Sequence, residues 1–399
     1  MTKERRSEMI DYSKILPQRI VDIPKSGIRK YFDMITPDMT DIISLTVGQP
    51  DFITPWHIRE AGIQSLETGK TFYTANAGLE ELRYEINNYL TRRFSVSYDP
   101  LSEIIVTVGG SEAIDIAMRA TLDVGDEVII PTPSFVCYGP LAAMAGATPV
   151  ILETKFENEF KINPDELKKL ITLRTKMLVL PFPNNPTGAI MTKEELEEIA
   201  DIVRGTNIII LSDEIYAEMT YGGKHCSIAT IPDMWERTIL VNGFSKAYAM
   251  TGWRLGFVCA PAPICSQMLK IHQYEIMSSP TTSQFAAISA LKNGDPDIRY
   301  MTAEYNKRRS LIYNKLLDMG IESFEPKGAF YIFPKISQFG LSGEEFCSQL
   351  LQKYHVAIVP GEAFGKSGTG FARISYAYSV KHITEGLDRM EAFIKELTK

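Results

Sequence analysis

Two residues of this sequence have the types and the spacing needed for carbonyl and anion chemistry. Lys246 follows an apolar run, 238–241, and a short segment of small and polar residues, and Arg254 lies eight positions further along. If such a lysine is buried, loss of hydration favours its neutral amine, which can form a Schiff base with a carbonyl compound. Most lysines are exposed and do no such chemistry. The hypothesis therefore depends on the residues that accompany Lys246.

Three more polar segments follow apolar runs that predict strands. Gly110 and Ser111 open a helix directly after one run, where unpaired N–H groups and the helix dipole suit a phosphate. Asn185 lies in a turn rich in proline and asparagine, and its amide can hold a phenolate or carboxylate oxygen. Asp213 ends a third run, where a carboxylate requires a cation or several donors. A capped helix, a plain turn and a helix N-cap are the simpler interpretations of the three segments.

Arg254 completes this set of strand-end residues. The planar guanidinium group binds phosphate through two hydrogen bonds and stays charged at all physiological pH values. A surface ion pair is the alternative, but the glycines and the apolar run that flank Arg254 favour an inward position.

These residues lie in a region, from about 103 to 258, where short β-branched runs alternate with helical periods. Such a pattern predicts a mainly parallel sheet of seven strands with helices on both faces. Ligands of open α/β sheets bind beyond the carboxyl ends of the strands, which is where the candidate residues lie. The runs are 104–108, 127–130, 148–152, 177–180, 208–211, 238–241 and 255–258.

The predicted fold class is α/β, with a large domain built on this sheet and a smaller α+β domain. We expect residues 1–45 to form an N-terminal arm and part of the small domain, and residues 46–295 to form the large domain. A connector helix and the C-terminal small domain account for residues 296–399. A capping box at Thr192 predicts one helix start in the large domain.

Composition limits the class of protein. The net charge is −7 and no block of lysine or arginine rises above the background, which argues against a nucleic-acid partner. The start of the chain is charged and no apolar run approaches the length of a bilayer span, so we expect a soluble, cytoplasmic protein. The five cysteines and five histidines show no ligand spacing, so we expect no metal site and no disulfide framework.

In order, spacing and joint presence, these segments resemble the fold-type I aminotransferases of class I/II, which depend on pyridoxal 5′-phosphate (PLP). The resemblance extends from 47–52 to 371–375 and implies the PLP-transferase fold. In that family the lysine matching Lys246 carries PLP, and the aspartate matching Asp213 binds the pyridine nitrogen. The resemblance thus makes Lys246, Asp213 and Tyr216 the catalytic set.

The resemblance also implies a full cofactor site. Tyr216 and Asn185 match the residues that hold the 3′-oxygen of the cofactor, and Phe135 matches the aromatic residue that stacks on its ring. The expected cofactor-binding residues around the phosphate are Gly110, Ser111, Glu112, Ser245 and Arg254. Many members have serine where this chain has Gly243, so one hydroxyl contact to the phosphate is replaced by the backbone or by Ser245.

Substrate and partner contacts follow from the same resemblance. Arg373 matches the arginine that binds the substrate α-carboxylate, with Gly48 and Asn185 beside it. Tyr73 matches a tyrosine that reaches the phosphate of the partner subunit, which implies a homodimer with shared sites. The segment 23–28 resembles the one that closes over the substrate side chain.

The activity implied is transfer of an amino group from an L-amino acid to a 2-oxo acid by a ping-pong mechanism, with glutamate and 2-oxoglutarate as one pair. Acidic, aromatic and aliphatic amino acids stay open as substrates, because the sequence shows no assignable second arginine for a distal carboxylate. A PLP-dependent carbon–sulfur β-lyase on the same scaffold is the alternative enzyme. A PLP-binding transcription regulator is disfavoured, since the roughly forty residues before the first strand are too short and too weakly basic for a DNA-binding module.

Overall fold

A computed structural model describes residues 10–25, 27–28 and 41–398 of the protein. The predicted N-terminal arm is described only in part, since residues 1–9, 26 and 29–40 lie outside the described residues. So does Ser26 within the predicted closing segment. No helix in the described part of the chain combines the length and the apolar character that crossing a membrane would require.

Twelve strands are present among the described residues, and seven of them form the central sheet. The sheet order is β2-β8-β7-β6-β5-β3-β4, and β8 is antiparallel to both of its neighbours while the other pairings are parallel. This confirms the mainly parallel seven-stranded sheet predicted from the sequence. The strands are β1 (Ile43–Ser44), β2 (Ile104–Thr107), β3 (Glu127–Thr132), β4 (Thr148–Glu153), β5 (Thr175–Leu180), β6 (Ile209–Asp213), β7 (Thr238–Gly243), β8 (Gly256–Cys259), β9 (Tyr331–Ile332), β10 (Val356–Ala357), β11 (Val359–Pro360) and β12 (Ala372–Ser375).

Strands β6 and β7 extend two residues beyond their predicted ends. The hydrogen-bonded pairing continues through Asp213, opposite Val241, and through Gly243, opposite Gly256. An apolar run predicts where a strand is buried, whereas the backbone ladder continues past the last apolar side chain. Asp213 is therefore the last residue of a strand rather than the first residue of a loop.

Helices cover both faces of the sheet, since alternate strand residues belong to hydrophobic clusters with different helices. The capping box predicted at Thr192 is confirmed, since the Thr192 hydroxyl accepts from the Glu195 N–H and the Glu195 carboxylate accepts from the Thr192 N–H. The α-helices of the described residues are Gln18–Val21, Trp56–Glu67, Glu80–Phe94, Gly110–Thr121, Tyr138–Met144, Pro164–Leu170, Lys193–Val203, Ala262–Glu275, Thr281–Asn293, Asp295–Asp318, Gly343–Tyr354 and Val380–Leu397.

A smaller α+β unit follows the connector helix Asp295–Asp318. It contains a three-stranded antiparallel sheet in the order β11-β12-β9, and the parallel pair of β1 and β10. The β1 strand, Ile43–Ser44, thus pairs with a strand of this C-terminal unit. The exact boundaries of the domains stay a prediction.

Close backbone contacts join the two strands β7 and β8 to the helix Gly110–Thr121. A Cβ atom on Gly256 would lie 2.8 Å from the carbonyl carbon of Gly109 and 2.9 Å from the nitrogen of Gly110. A Cβ atom on Gly243 would lie 2.9 Å from the Cα of Gly256. The missing side chains therefore let the helix start pack directly on the strand ends.

Because backbone atoms cannot move aside as the end of a flexible side chain can, we expect Gly256→Ala to destabilise the protein by about 1–3 kcal/mol, the usual cost of overpacking. The measurement is the midpoint of thermal or urea unfolding. Gly139→Ala is the matched control, since nothing lies within 4 Å of a Cβ at that position. An unfolding midpoint for Gly256→Ala equal to that of Gly139→Ala would contradict the close packing.

Candidate active site

A cleft of about 380 Å³ opens at the carboxyl ends of the central strands. It brings together every site residue predicted from the sequence except Glu112 and Tyr73. The predicted residues that line it are Gly48, Gly110, Ser111, Phe135, Asn185, Asp213, Tyr216, Ser245, Lys246, Arg254 and Arg373.

Lys246 lies just after β7, and its amine points into this cleft. The Nζ atom donates a hydrogen bond to the Gly48 carbonyl at 2.6 Å and lies 5.7 Å from the centre of the Tyr216 ring. Burial, together with the positive charges of Arg373 and Arg254, lowers the pKa of the Lys246 amine to about 8, while the Asp213 carboxylate acts in the opposite direction. The neutral form of this amine is therefore a minority near neutral pH, but it is far more populated than in an ordinary lysine, as the chemistry proposed from the sequence requires.

Asp213 ends β6 with its carboxylate buried against the cleft, 7% exposed. Burial raises the pKa of this carboxyl, while a hydrogen bond from the Tyr138 hydroxyl, at 2.7 Å, acts in the opposite direction. The Ile215 N–H donates to the other carboxylate oxygen at 3.2 Å. The Asp213 carboxyl thus lies in low-dielectric surroundings, where a cationic partner in the cleft would strongly favour its charged form.

Sequence analysis missed Tyr138. It begins the helix Tyr138–Met144, and its hydroxyl reaches Asp213 across 75 residues of sequence. Its only signal in the sequence was its position three residues after Phe135, in the segment that leaves β3.

Arg373 lies in β12 at the other side of the cleft and is 2% exposed. Its guanidinium donates to the Asn185 side-chain oxygen at 2.9 Å and to the Thr46 carbonyl at 2.6 Å, and it stacks on Tyr331 with 4.6 Å between Cζ and the ring centre. Its Nε has no hydrogen-bond partner, and among the described residues the charged or polar neighbours that act on its pKa are tyrosines rather than carboxylates. Burial lowers the pKa of Arg373. A buried cation with a free donor fits a ligand carboxylate.

Tyr331 is a second residue that sequence analysis did not assign to the site. Its hydroxyl lies 2.8 Å from the Tyr216 hydroxyl, so the two form one polar contact at the wall of the cleft. A Cβ atom on Gly48 would overlap the Tyr331 hydroxyl, which explains why the backbone can approach here only with glycine. Burial raises the pKa of Tyr216 well above its ordinary value, so its hydroxyl is a neutral donor at neutral pH.

The third part of the cleft is suited to a phosphate. Gly110 and Ser111 form the first turn of the helix Gly110–Thr121, whose N–H groups are free of intrahelical partners. Arg254 lines the same end and is exposed, with only long hydrogen bonds to the carbonyls of Thr251 and Val108, at 3.2 and 3.4 Å. These donors are available to a ligand.

The Glu112 side chain does not line the cleft. Its carboxylate accepts from the Val108 N–H and lies 2.5 Å from the His272 ring. Tyr73 is 78% exposed in the loop that precedes the helix Glu80–Phe94, outside the cleft of its own chain. The roles assigned to these two residues stay predictions.

The Gly243 departure from the family pattern has a local explanation. A side chain there would meet Gly256 and the Ile215 side chain, at 2.9 and 3.2 Å, so the close pairing of β7 with β8 leaves no room for serine. Ser245, which is buried and lines the cleft, is the hydroxyl that remains on this side.

The residues present fit PLP, the cofactor that the resemblance implies. The cleft offers an amine for its aldehyde, a buried carboxylate for its ring nitrogen and cationic and N–H donors for its phosphate. Phe135 supplies an aromatic wall, and the Tyr216 hydroxyl and the Asn185 amide supply donors for its phenolic oxygen. Each chemical feature of the cofactor has a matching group in one cleft.

Comparisons with known proteins agree with this reading. Residues 40–390 match the profile of the family described as aminotransferase class I and II. The chain is 49% identical to a putative aminotransferase, YugH, of Bacillus subtilis, over 96% of this chain and 99% of that protein. It is 46% identical to an aspartate aminotransferase of Pyrococcus abyssi, over 96% and 98%. The structure of an aromatic aminotransferase from Pyrococcus horikoshii superposes with a TM-score of 0.88, at 45% identity, over 92% of this chain and 99% of that one.

The lowered pKa of Lys246 predicts unusual reactivity toward aldehydes. In the cofactor-free protein, reductive labelling of Lys246 should rise with pH and reach half of its maximum rate near pH 8, because only the neutral amine reacts. Mass spectrometry of the labelled peptide gives the rate at each pH, and a free lysine-containing peptide, with a pKa of about 10.4, is the reference. A pH profile at Lys246 that coincides with that of the peptide would contradict the burial of this amine.

Proposed function

The chain belongs to the class I and II aminotransferase family, and we propose that it moves the amino group of an L-amino acid to a 2-oxo acid by a ping-pong mechanism with PLP as its cofactor. The single observation that carries the proposal is the convergence of Lys246, Asp213 and Arg373 on one cleft. These residues supply an amine of lowered pKa, a buried anion and a buried cation. This combination suits a cofactor aldehyde, a pyridinium nitrogen and a substrate carboxylate.

In this proposal Lys246 is the tether for the cofactor, and Asp213 holds the protonated ring nitrogen. Bound PLP supplies an electron sink for the bonds of the substrate Cα. Tyr138 keeps the Asp213 carboxylate charged by donating to it, and it is therefore a positioning residue. Arg254 and the first turn of the helix Gly110–Thr121 hold the phosphate end.

Lys246 is also the general acid and base. With PLP bound and the substrate amino group in place of Lys246, the freed Lys246 amine would serve as the base that takes the proton from the substrate Cα and as the acid that returns it. A pKa of about 8 is close to the operating pH, which is where a proton-transfer group works best. The same residue thus holds the cofactor between turnovers and moves the proton during them.

Arg373 fixes the orientation of the substrate. Its position between Asn185 and the Thr46 carbonyl, on the Tyr331 ring, leaves little freedom for the guanidinium. A carboxylate bound there would receive charge-assisted hydrogen bonds with a defined direction, in the same cleft as Lys246.

We propose glutamate and 2-oxoglutarate as one substrate pair. The relatives named above include an aspartate aminotransferase and an aromatic aminotransferase, so the amino acid of the other half-reaction is acidic or aromatic on this comparison. These relatives all carry aminotransferase names, and the comparisons give the β-lyase alternative no support.

We also propose a homodimer in which Tyr73 reaches the site of the partner. The loop that holds Tyr73 lies against the segment 277–281, since the Asn76 amide donates to the Met277 carbonyl and the Thr281 hydroxyl donates to the Phe72 carbonyl. Large apolar side chains are exposed throughout this region, more than isolated surface residues would explain. They are Ile53, Trp56, Ile63, Leu66, Phe72, Tyr73, Tyr274, Ile276 and Met277.

The reaction type is tested by recording absorbance spectra of PLP-loaded protein while amino acids are added one at a time. A substrate should convert the spectrum of the lysine-linked cofactor to that of its aminated form, and a 2-oxo acid should reverse the change.

Lys246→Ala should show no turnover, since both tether and proton carrier are lost. Pyruvate and ammonia released from cystathionine without a 2-oxo acid would favour the lyase instead.

We expect Arg373→Lys to raise KM for the amino acid by roughly 10–100-fold, because a point charge replaces a fixed pair of donors, and to change kcat less. Steady-state kinetics with both substrates measures the effect. Arg174→Lys is the control and should leave both constants unchanged, since the Arg174 side chain is exposed, pairs with Glu127 and lies outside the cleft. A KM for Arg373→Lys equal to that of the control would show that the α-carboxylate binds elsewhere.

A further inference from the structure

A second cavity, of about 320 Å³, lies outside the active site. It is formed by the end of the helix Glu80–Phe94, the loop 217–225 and the connector helix Asp295–Asp318. It shares no lining residue with the active-site cleft. The proposed function gives this cavity no role.

The cavity is positively charged in an otherwise acidic protein. Four of its lining residues are lysine or arginine, Arg92, Arg93, Lys224 and Arg299, whereas Glu218 is the single acidic one. The chain as a whole has a net charge of −7. A concave surface that concentrates positive charge against this background attracts anions.

Two of these cations are uncompensated. Glu218 is occupied, since Arg93 and the Tyr89 hydroxyl both donate to it, and Arg92 is paired with Asp295 at 3.1 Å. Lys224 and Arg299, in contrast, form no ion pair or side-chain hydrogen bond with any residue of the described ranges, and both are exposed at the cavity. Their charges are therefore available to a ligand.

The loop 222–225, which contains Lys224, adds backbone N–H donors. Gly222 has a φ of +77°, and the space around Gly222 and Gly223 is open, with nothing within 4 Å of a Cβ at either position. Within the described part of the chain, the N–H groups of 222–225 donate to no backbone carbonyl. Successive free N–H groups in a turn that contains a left-handed residue suit the oxygens of a phosphate.

We propose that this cavity is a second anion site, which binds the phosphate group of a small molecule between Lys224, Arg299 and the N–H groups of the loop 222–225. Its volume is at the lower end of the range for small-molecule sites and exceeds what a single phosphate fills. A phosphate monoester and free phosphate share the recognised chemistry. A phosphate group bound in this cavity is attracted both by Lys224 of the loop 217–225 and by Arg299 of the connector helix, so it links these two elements.

Titration calorimetry on PLP-loaded protein in a phosphate-free buffer tests the site, since PLP fills the phosphate subsite of the active site. The two probes are inorganic phosphate and glycerol 3-phosphate. The variant Lys224→Glu/Arg299→Glu removes the two free cations, and Lys224→Ala/Arg299→Ala removes them without adding negative charge. The control Lys155→Glu/Lys381→Glu makes the same change in net charge at two exposed lysines outside the cavity.

We expect one binding event per chain in the wild type and in the control. In both cavity variants the affinity for the probe should be at least tenfold lower. Tighter binding of glycerol 3-phosphate than of phosphate would identify a phosphate ester as the occupant, and equal binding would identify free phosphate. The unfolding temperature of the wild type should rise with either probe, because the ligand binds the folded chain alone. Absence of binding at concentrations up to about 10 mM, beyond the range of weak specific binding, would overturn the proposal. Equal binding by wild type and both cavity variants would overturn it too.

Discussion

The structure depends on one electrostatic arrangement: a largely desolvated lysine amine shares a cleft with two guanidinium groups. Burial and the charges of Arg373 and Arg254 all oppose protonation of Lys246, and only Asp213 acts against them. Such a cluster of like charges is costly to assemble and holds together only if surrounding elements fix it. The central sheet does this because the Asp213 carboxylate, the Lys246 amine and the start of the helix Gly110–Thr121 all lie at the same edge, where its strands end. The order of the strands in the sheet therefore decides which side chains meet in this cleft, as much as the residue types do.

The cleft also requires that the backbones of β7, β8 and the helix Gly110–Thr121 approach one another closely. Because β7 and β8 pair through Gly243 and Gly256, and the helix Gly110–Thr121 packs directly on that pair, its N-terminus lies beside the residues that follow β7. A side chain at these positions would push the helix start away from Lys246. The glycines thus set the distance between Lys246 and the start of the helix Gly110–Thr121, to which the proposed function assigns the phosphate.

Much of this was predictable from the sequence, because the signals were local. Continuous apolar runs predicted the seven strands of the sheet, and a polar residue at the end of such a run identified Asp213. The contacts that were missed join distant parts of the chain: Tyr138 is 75 residues from Asp213, and Tyr331 is 115 residues from Tyr216. No local pattern marks such partners, since a tyrosine in a buried helix or strand has the same pattern whether or not its hydroxyl meets a functional group. The orientation of Glu112 away from the cleft is likewise set by His272, 160 residues further along.

Gly48 touches more of the site than its size suggests. Its carbonyl accepts from Lys246, and its Cα faces the Tyr331 hydroxyl, which in turn meets Tyr216. A directed-evolution library that randomised this position to widen substrate scope would therefore disturb the amine, the aromatic wall and the tyrosine pair at once. Val47 and Gln49, which line the same cleft on either side of it, offer engineers routes to altered selectivity that leave those three contacts in place.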